Sequence, residues 1–512
     1  MCTMNKKVVI NKRVKGLSRE ALDQLSKTEL IDKIVQLEAY NFQLKNLLQK
    51  KLTESDKNNC EYAALLRTDD EYELKQKDTE KDTSGKKDKQ RKFNWDSAHR
   101  RHVLIKVMYF GWDYQGFACQ EDSMDTIEAY LFRALIRTCL IESRATSNYH
   151  RCGRTDKEVS AFCQVISIDL RSKHAPDVQM KPEALSSEID YCSLLNRVLP
   201  KNIQCVSWMP LRNPAYSARF DCISRTYRYY FPKGDLDIEA MRIACQSLVC
   251  HGDFRNFCKM DVHNGVTNYM RNLQGAAIKP CDNTEMQMHS NSGYAMYYLE
   301  IQGNAFLWHQ IRCIMAVLLL VGQKHEQPCV ISKLLDVVSN PCKPQYTPAI
   351  GLPLNLFRCE FRAQSTRQVN PSASSSAAID DLDDDVDLAA VKPENVEGTE
   401  SDLTDWVYSE ENLQKLIENV QCEWTQFSVK CTMIRNVLLQ LEDLLERNYK
   451  AQQIQAQAIL LQDAVKPRQY QPLLQRKRCE SLENRIEHFV KKQRLLLTSE
   501  AGTETVLSKP DG

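Results

Sequence analysis

The densest run of chemically capable side chains inside otherwise apolar sequence is Tyr149-His150-Arg151-Cys152-Gly153-Arg154-Thr155-Asp156-Lys157-Glu158-Val159-Ser160-Ala161. Its carboxylate, Asp156, has Arg154 two residues before it and Lys157 directly after it. A cation held close to a carboxylate favours the ionised form, which keeps the oxygen available as a nucleophile or base near neutral pH. A structural Arg–Asp turn uses the same residues, and both readings stand. A second cluster, Arg219, Arg225, Tyr227, Arg228, Tyr229 and Tyr230, interleaves cations with aromatics. In an extended strand, alternation sends Tyr227 and Tyr229 to one face and Arg228 and Tyr230 to the other. Rings and guanidinium groups so arranged can stack on an unstacked base and neutralise its phosphate. An aromatic core strand edged by arginines is equally consistent. The third candidate is Arg312, a cation inside a long apolar run. Burying it costs desolvation unless a carboxylate or phosphate pairs with it. His309, three residues earlier, suits a helix surface or an RNA contact.

Other chemistries find no support. The glycine patterns GxGxxG and GxxxxGK[ST] are absent, as are HExxH and a serine nucleophile elbow. Aspartates between Asp380 and Asp387 lack a scaffold and would hold cations weakly. Cys245, Cys250, His251 and Cys258 come nearest to metal-ligand spacing, but no close CxxC pair is present and Cys245 sits in an amphipathic segment. They read as core cysteines, so neither a metal nor a cofactor is expected.

The elements that must carry these groups follow from periodicity. Val103, Ile105, Val107 and Tyr109 alternate with their neighbours as in a strand, and the glycine-bounded loop Gly111–Gly116 ends it. Ile127 to Cys139 carries a helical stripe of Ile127, Tyr130, Leu131, Ala134, Leu135 and Thr138. The polar loop from Ser143 to Arg154 leads to a strand over Cys163–Leu170. A further helix is predicted near Ser187–Val198, strands at Tyr227–Phe231 and Tyr297–Ile301, and a helix over Phe306–Val321. Strands alternating with helices, many half-buried, predict an α+β architecture with mixed or antiparallel sheets.

The chain of 512 residues allows several domains. A capping box at Ser26 and Glu29, with Leu30, Leu37 and Leu44 seven residues apart and Ile34, Asn41 and Leu48 between them, predicts a short coiled-coil helix within residues 1–52. It is a possible further contact for a partner. A charged linker spans 53–98, ordered sequence 99–215 and 216–362, and a polar, acidic, disordered insert 363–404. Helix-forming sequence returns over 405–494, where Leu413, Leu416, Ile417, Val420, Trp424 and Phe427 form an apolar stripe continued by Met433, Val437 and Leu441. Its basic tail, Arg476 to Ile486, is either a solvated helix end or an RNA contact. A disordered tail covers 495–512. Net charge is only +1 at pH 7, because the acidic insert offsets a slight basic excess between Arg101 and Arg362. Any nucleic-acid contact must therefore rest on where the arginines lie. The 20 cysteines show no disulfide-framework spacing and suit a reducing compartment. The longest apolar stretch, Ile314–Val321, is under half a membrane span, so no membrane association is expected. The basic N-terminus leads into no apolar signal core, which argues against secretion.

Gly153-Arg154-Thr155-Asp156-Lys157-Glu158-Val159-Ser160-Ala161 closely resembles the catalytic loop of the tRNA pseudouridine synthase A family, where GRTD precedes a small residue, Gly, Val, His and Ala. Lys157, Glu158 and Ser160 depart from that pattern and resemble the eukaryotic branch acting at tRNA positions 38 and 39. Further matches are Tyr109–Phe117, Ser217–Phe220 with Arg225–Tyr229, Gly303–Arg312 and Ala349–Leu354, so the resemblance covers about residues 100–362. It implies two α/β domains with mainly antiparallel sheets facing a central basic cleft, and a homodimer acting on tRNA in the nucleus and cytoplasm. It makes Asp156 the catalytic aspartate, Arg154 its loop partner and Arg312 the arginine that pairs with it. Tyr227 would stack on the uracil, with Arg225, Arg228, His309 and either Leu352 or Leu354 completing the substrate site. A tRNA-binding protein without activity, and a broader isomerase acting at positions 38 to 40, are the alternatives.

Overall fold

The structure, a computed structural model, describes residues 93–120, 125–260, 262, 266–281, 293–364, 405–449, 454, 456–462 and 469–490. These belong to one compact unit. The predicted coiled-coil helix, the linker up to residue 92, most of the acidic insert and the final tail lie outside them.

In chain order the elements are β1 (His99–Tyr109), α1 (Ile127–Arg137), β2 (His150–Arg151), β3 (Ser160–Ser172), α2 (Pro182–Ser186), α3 (Tyr191–Asn196), β4 (Ile203–Pro210) and β5 (Cys222–Pro232). They continue with α4 (Ile238–Gln246), β6 (His251–Asp253), β7 (Met270–Pro280), β8 (Met296–Gly303), α5 (Gln310–Gly322), α6 (Val330–Leu335), β9 (Leu354–Phe361) and α7 (Glu410–Tyr449). The strands form one sheet in the order β4-β1-β3-β9-β5-β8-β7-β6, with β2 added against β3. Every described pairing is antiparallel except β3 with β9, where Ser160 and Ala161 lie opposite Asn355 and Leu356. That short parallel seam joins two antiparallel halves, and it begins just after the Asp156 loop. The fold is therefore mixed α/β with a largely antiparallel sheet and a C-terminal helical extension.

Alternation in β1 does what the pattern required. Val103, Ile105, Val107 and Tyr109 join the main core with Ile127, Leu131 and Leu135 of α1 and the apolar side of α5. Leu104 faces a smaller cluster containing Val165, Met209, Leu211 and Tyr216. Helix α1 starts where the Thr126 hydroxyl accepts from the Ala129 N–H. Next to that cap is a group the sequence reading passed over. Glu128 is fully buried, yet its carboxylate accepts from the Tyr149 hydroxyl (2.7 Å), Arg151 (2.9 Å) and the Cys119 N–H (2.8 Å), with Arg144 at 3.4 Å. The two arginines and these donors hold its carboxyl below the usual range against the opposing effect of burial. It ties α1 to the strand that feeds the Asp156 loop.

Some boundaries differ from expectation. The helix expected near Ser187–Val198 is shorter, α3 alone, because Asp190 caps it by accepting from the Ser193 N–H at 2.9 Å, and a separate short helix, α2, ends just before the expected span. The helix expected from Phe306 begins at Gln310. His309 stands in the left-handed region at φ 59°, and the Gln310 side chain accepts from the Leu307 N–H at 2.7 Å, which closes a tight turn before the helix. The basic segment enters a helix at residue 482, but the part around Arg476–Arg478 is not helical. Its backbone runs beside residues 343–345, with Lys477 O accepting from the Gln345 N–H and Lys343 O from the Cys479 N–H at 2.9 and 2.8 Å.

Helix α7 is anchored at its start. Leu416 is buried, and Asn412 bonds to Asn196 (2.8 Å) and to the Cys205 carbonyl (3.1 Å). Further along, Phe427 packs edge-on against Trp112 at 5.4 Å, and the Arg435 guanidinium lies 3.7 Å over the Tyr294 ring. Its predicted apolar stripe is largely open to solvent: Ile417, Trp424, Phe427, Met433, Val437 and Leu441 are 49–68% exposed, as are Ile434 and Leu444 beside them. No described helix is long and apolar enough to cross a membrane.

Candidate active site

The loop between β2 and β3 is fastened from several sides before it presents Asp156. The Cys152 N–H donates to the Val165 carbonyl (2.8 Å) and the Gln164 amide to the Gly153 carbonyl (2.7 Å). Tyr109, at the end of β1, shares a 2.7 Å hydrogen bond with the Thr155 hydroxyl. The Thr155 carbonyl accepts from the Phe117 N–H at 3.0 Å, and the Tyr114 carbonyl from the Glu158 N–H at 3.1 Å. Two glycines let other segments press against the loop. A β-carbon at Gly351 would sit 2.6 Å from the Lys157 carbonyl oxygen, and one at Gly111 2.0 Å from that of Val159. Any side chain there would push the loop away.

Arg225 acts from beneath. It is 6% exposed, and its guanidinium donates twice to the Cys152 carbonyl, at 2.7 and 3.0 Å, and also to the carbonyl of Asn304. It joins the loop to the turn ahead of α5. The sequence offered it as a substrate contact; its guanidinium is taken up by backbone carbonyls of the loop and the turn, which makes it a positioning residue.

The Asp156 carboxylate meets that turn directly. Its Oδ2 lies 3.5 Å from Arg312 Nη1 and 3.5 Å from His309 Nε2. Arg312 is held in turn by its Nε, which donates to the Ala349 carbonyl at 2.7 Å, and by Nη1, which donates to His309 Nε2 at 3.1 Å. At 3.5 Å the Asp–Arg contact is long for a charge-assisted bond. The cation expected beside Asp156 is therefore supplied by Arg312. Arg154 and Lys157 are exposed, and Lys157 is 3.9 Å from Glu158. Electrostatics differ from expectation too. Burial pushes the Asp156 carboxyl above the usual range, and Arg312, the Trp308 indole and Lys259 only partly offset it. The result is a carboxylate of raised basicity with 22% of its side chain exposed.

His309 carries no charge here. Burial first, then Arg312, Lys259 and Lys343, lower it to about 4. An Nε2 that accepts from Arg312 leaves the ring proton on Nδ1, a buried nitrogen with no hydrogen-bond partner among the described residues.

Tyr227 of β5 reaches the same loop at Gly153 and is itself buried. Its ring packs edge-on to Phe306 at 5.2 Å, its hydroxyl lies 3.7 Å from the β-carbon position of Gly153, and a register shift between Thr226 and Tyr227 adjusts its aim against β9. Burial raises its phenol well above the ordinary value. Arg228 is not part of this group. It points to the other side of β5, 2.8 Å from Glu300, with its guanidinium over Phe357 and Tyr298 at 3.5 and 4.5 Å. Strand alternation dictates this. Leu354 is buried, and Leu352 is 41% exposed. Sequence reasoning overlooked Trp308 and Lys259, whose ammonium sits 3.9 Å over the Trp308 ring. Trp308 adjoins the His309–Arg312 run and was legible there; nothing in its own neighbourhood marks Lys259.

A family model described as tRNA pseudouridine synthase matches residues 244–362. The chain is 40% identical over 426 residues to the mouse (Mus musculus) tRNA pseudouridine(38/39) synthase, covering 79% of this chain and 80% of that one. The human (Homo sapiens) protein of the same name is 39% identical over 425 residues, with the same coverage of 79% and 80%. The chain belongs to the tRNA pseudouridine synthase A family, in its eukaryotic branch. The yeast (Saccharomyces cerevisiae) tRNA pseudouridine(38/39) synthase is 38% identical over 276 residues, 53% of this chain and 60% of that one. The family-model match holds Arg312 and β9 but begins after the Asp156 loop, so the geometry joins the matched segment to the GRTD motif.

Because His309 is lowered from 6.5 to about 4, the unfolded chain takes up its proton first. The neutral ring therefore contributes stability above pH 6.5 that is lost as pH falls towards 4. His309→Gln is expected to lose less stability than the parent between pH 7 and 5 in chemical denaturation. Identical losses for the two proteins would refute a buried, neutral His309.

Proposed function

We propose that this protein isomerises uridine to pseudouridine at positions 38 and 39 of the tRNA anticodon stem-loop, with Asp156 as the catalytic carboxylate. The observation that carries this reading is Asp156, in a GRTD loop, paired across the sheet seam with Arg312, in a chain of this family.

The reaction breaks the C1′–N1 bond and forms C1′–C5. C5 gives up a proton and N1 ends with one, so atoms and electrons balance without oxidant, water or donor. A carboxylate of raised basicity serves either opening step, capture of C1′ as the base leaves or removal of the C2′ proton. Arg312 keeps that oxygen aimed and steadies the nucleotide once it is out of the helix. Unstacking the base costs a few kcal/mol, and stacking on the Tyr227 ring returns about 1–3 kcal/mol of it. Since burial keeps the Tyr227 phenol protonated, its hydroxyl relays the C5 proton rather than taking it as a phenolate. Of the two leucines, Leu352 has free surface to offer a base. Arg154, exposed beside the site, and Lys259 supply positive charge for the RNA backbone.

The protein acts, in this reading, as a homodimer. The support is α7, whose open stripe of Trp424, Phe427, Ile434, Val437, Leu441 and Leu444 recurs at spacings of three, four and seven. Such a seam is self-complementary in a coiled coil.

Asp156→Ala and wild-type protein incubated with unmodified tRNA, followed by mapping of pseudouridine, test the chemistry. Wild type is expected to modify positions 38 and 39, and the variant to be slower by more than about 10³-fold. Equal modification by both removes Asp156 from the mechanism. Binding without modification by either points to an inactive tRNA-binding protein, and modification at 40 to the broader isomerase. For the assembly, solution mass is expected to fall from dimer to monomer in an Ile434→Lys, Leu441→Lys variant. A monomeric parent would refute the dimer.

A further inference from the structure

The sheet gathers thiols that lie far apart in the chain. Cys152 follows β2, Cys222 opens β5 and Cys359 lies in β9. The Cys152 sulfur is 3.4 Å from the sulfurs of both Cys222 and Cys359, and all three lie within 4.8 Å of one another. Sulfurs placed tetrahedrally around a zinc ion at about 2.3 Å are separated by about 3.8 Å. The set is thus nearly the right size before any ion is present. Cys163 of β3 is buried beside them, and its carbonyl accepts from the Cys359 thiol at 3.2 Å.

Charge supplies a second, separate argument. Arg225 is 6% exposed, its hydrogen bonds go to the carbonyls of Cys152, Arg219 and Asn304, and among the described residues no carboxylate pairs with it. A buried cation without a counter-charge is costly. Three thiolates and a divalent ion carry one net negative charge, and the Arg225 guanidinium cancels it. Three protonated thiols leave that guanidinium uncompensated.

We infer that Cys152, Cys222 and Cys359 form a binding site for a thiophilic divalent cation, zinc being the natural choice. Each ligating thiol releases its proton to solvent as the ion enters, and no electron is transferred. The ion would tie β5 and β9 to the residue four positions ahead of Asp156, so it is a structural staple beneath the catalytic loop and takes no part in the isomerisation. Of the cysteines that the sequence spacing brought forward, Cys245 and Cys258 are part of the main core and Cys250 packs against it.

The full-length protein, purified under reducing conditions without chelator from zinc-supplemented medium, should hold about one zinc ion per chain by elemental analysis. Cobalt added to metal-stripped protein should give thiolate-to-cobalt absorption in the near ultraviolet. Cys222→Ser with Cys359→Ser should lose both signals, whereas Cys431→Ser, exposed on α7, should keep them. Serine hydroxyls in the core can unfold the chain, so the parent protein's own metal content and cobalt spectrum decide the matter without the variants. Parent protein that holds no zinc and gives no cobalt band overturns the inference. So does recovery of Cys152 in a disulfide with Cys222 or Cys359 in metal-free protein, or a folded double variant with undiminished metal.

Discussion

One contact organises this molecule: the Asp156 carboxylate against the Arg312 guanidinium, 3.5 Å apart. Its partners come from opposite sides of a seam, since Asp156 lies ahead of β3 and Arg312 on the first turn of α5. Burial works against the carboxylate's charge, and Arg312, Trp308 and Lys259 only partly restore it. The protein thus holds a carboxylate anion where it is less comfortable than in water, which is what a base or nucleophile requires. Such a group stays in place only if the surroundings over-determine its position.

Most of the nearby architecture does that. The short parallel pairing of β3 with β9 closes the seam just beyond Asp156. Arg225 clamps the loop's Cys152 carbonyl to the turn carrying Asn304. Tyr109 fixes Thr155, and buried Glu128, with Arg144 and Arg151, anchors the strand that leads in. Gly111 and Gly351 permit the backbone contacts that complete the cradle. Glu158 stands in the left-handed region at φ 66°, where the family pattern places glycine. An L-residue pays about 1–2 kcal/mol there, and the cradle must hold the loop against that cost.

Much of this was legible in the sequence wherever one residue's neighbours in the chain are also its neighbours in space. The strand at β1, the helix at α1 and the apolar helix α5 follow from alternation and helical period, and the polar loop around Asp156 stands out against its apolar flanks. Tertiary consequences were less accessible. Arg225 and Arg228 look alike as cations in an aromatic run, but one clamps backbone from within and the other pairs with Glu300 on the far side of β5. The start of α5 moved because a left-handed His309 and the Gln310 side chain close a turn, which apolar period does not register. The cysteine cluster was invisible to any spacing rule, since its members are 70 and 207 residues apart in sequence. The register of β5 against β9 brings Cys222 and Cys359 together, and the Cys152 N–H bond to Val165 of β3 adds the third.

The central claim is that Asp156 faces the sugar of an unstacked uridine. A structure of the Asp156→Asn protein bound to a tRNA anticodon stem-loop tests it most directly. A target uridine turned out of the stem-loop, its base against Tyr227 and its C1′ beside the residue 156 side chain, is the result this account predicts. A fully stacked stem-loop bound elsewhere, with nothing between Tyr227 and residue 156, would contradict it.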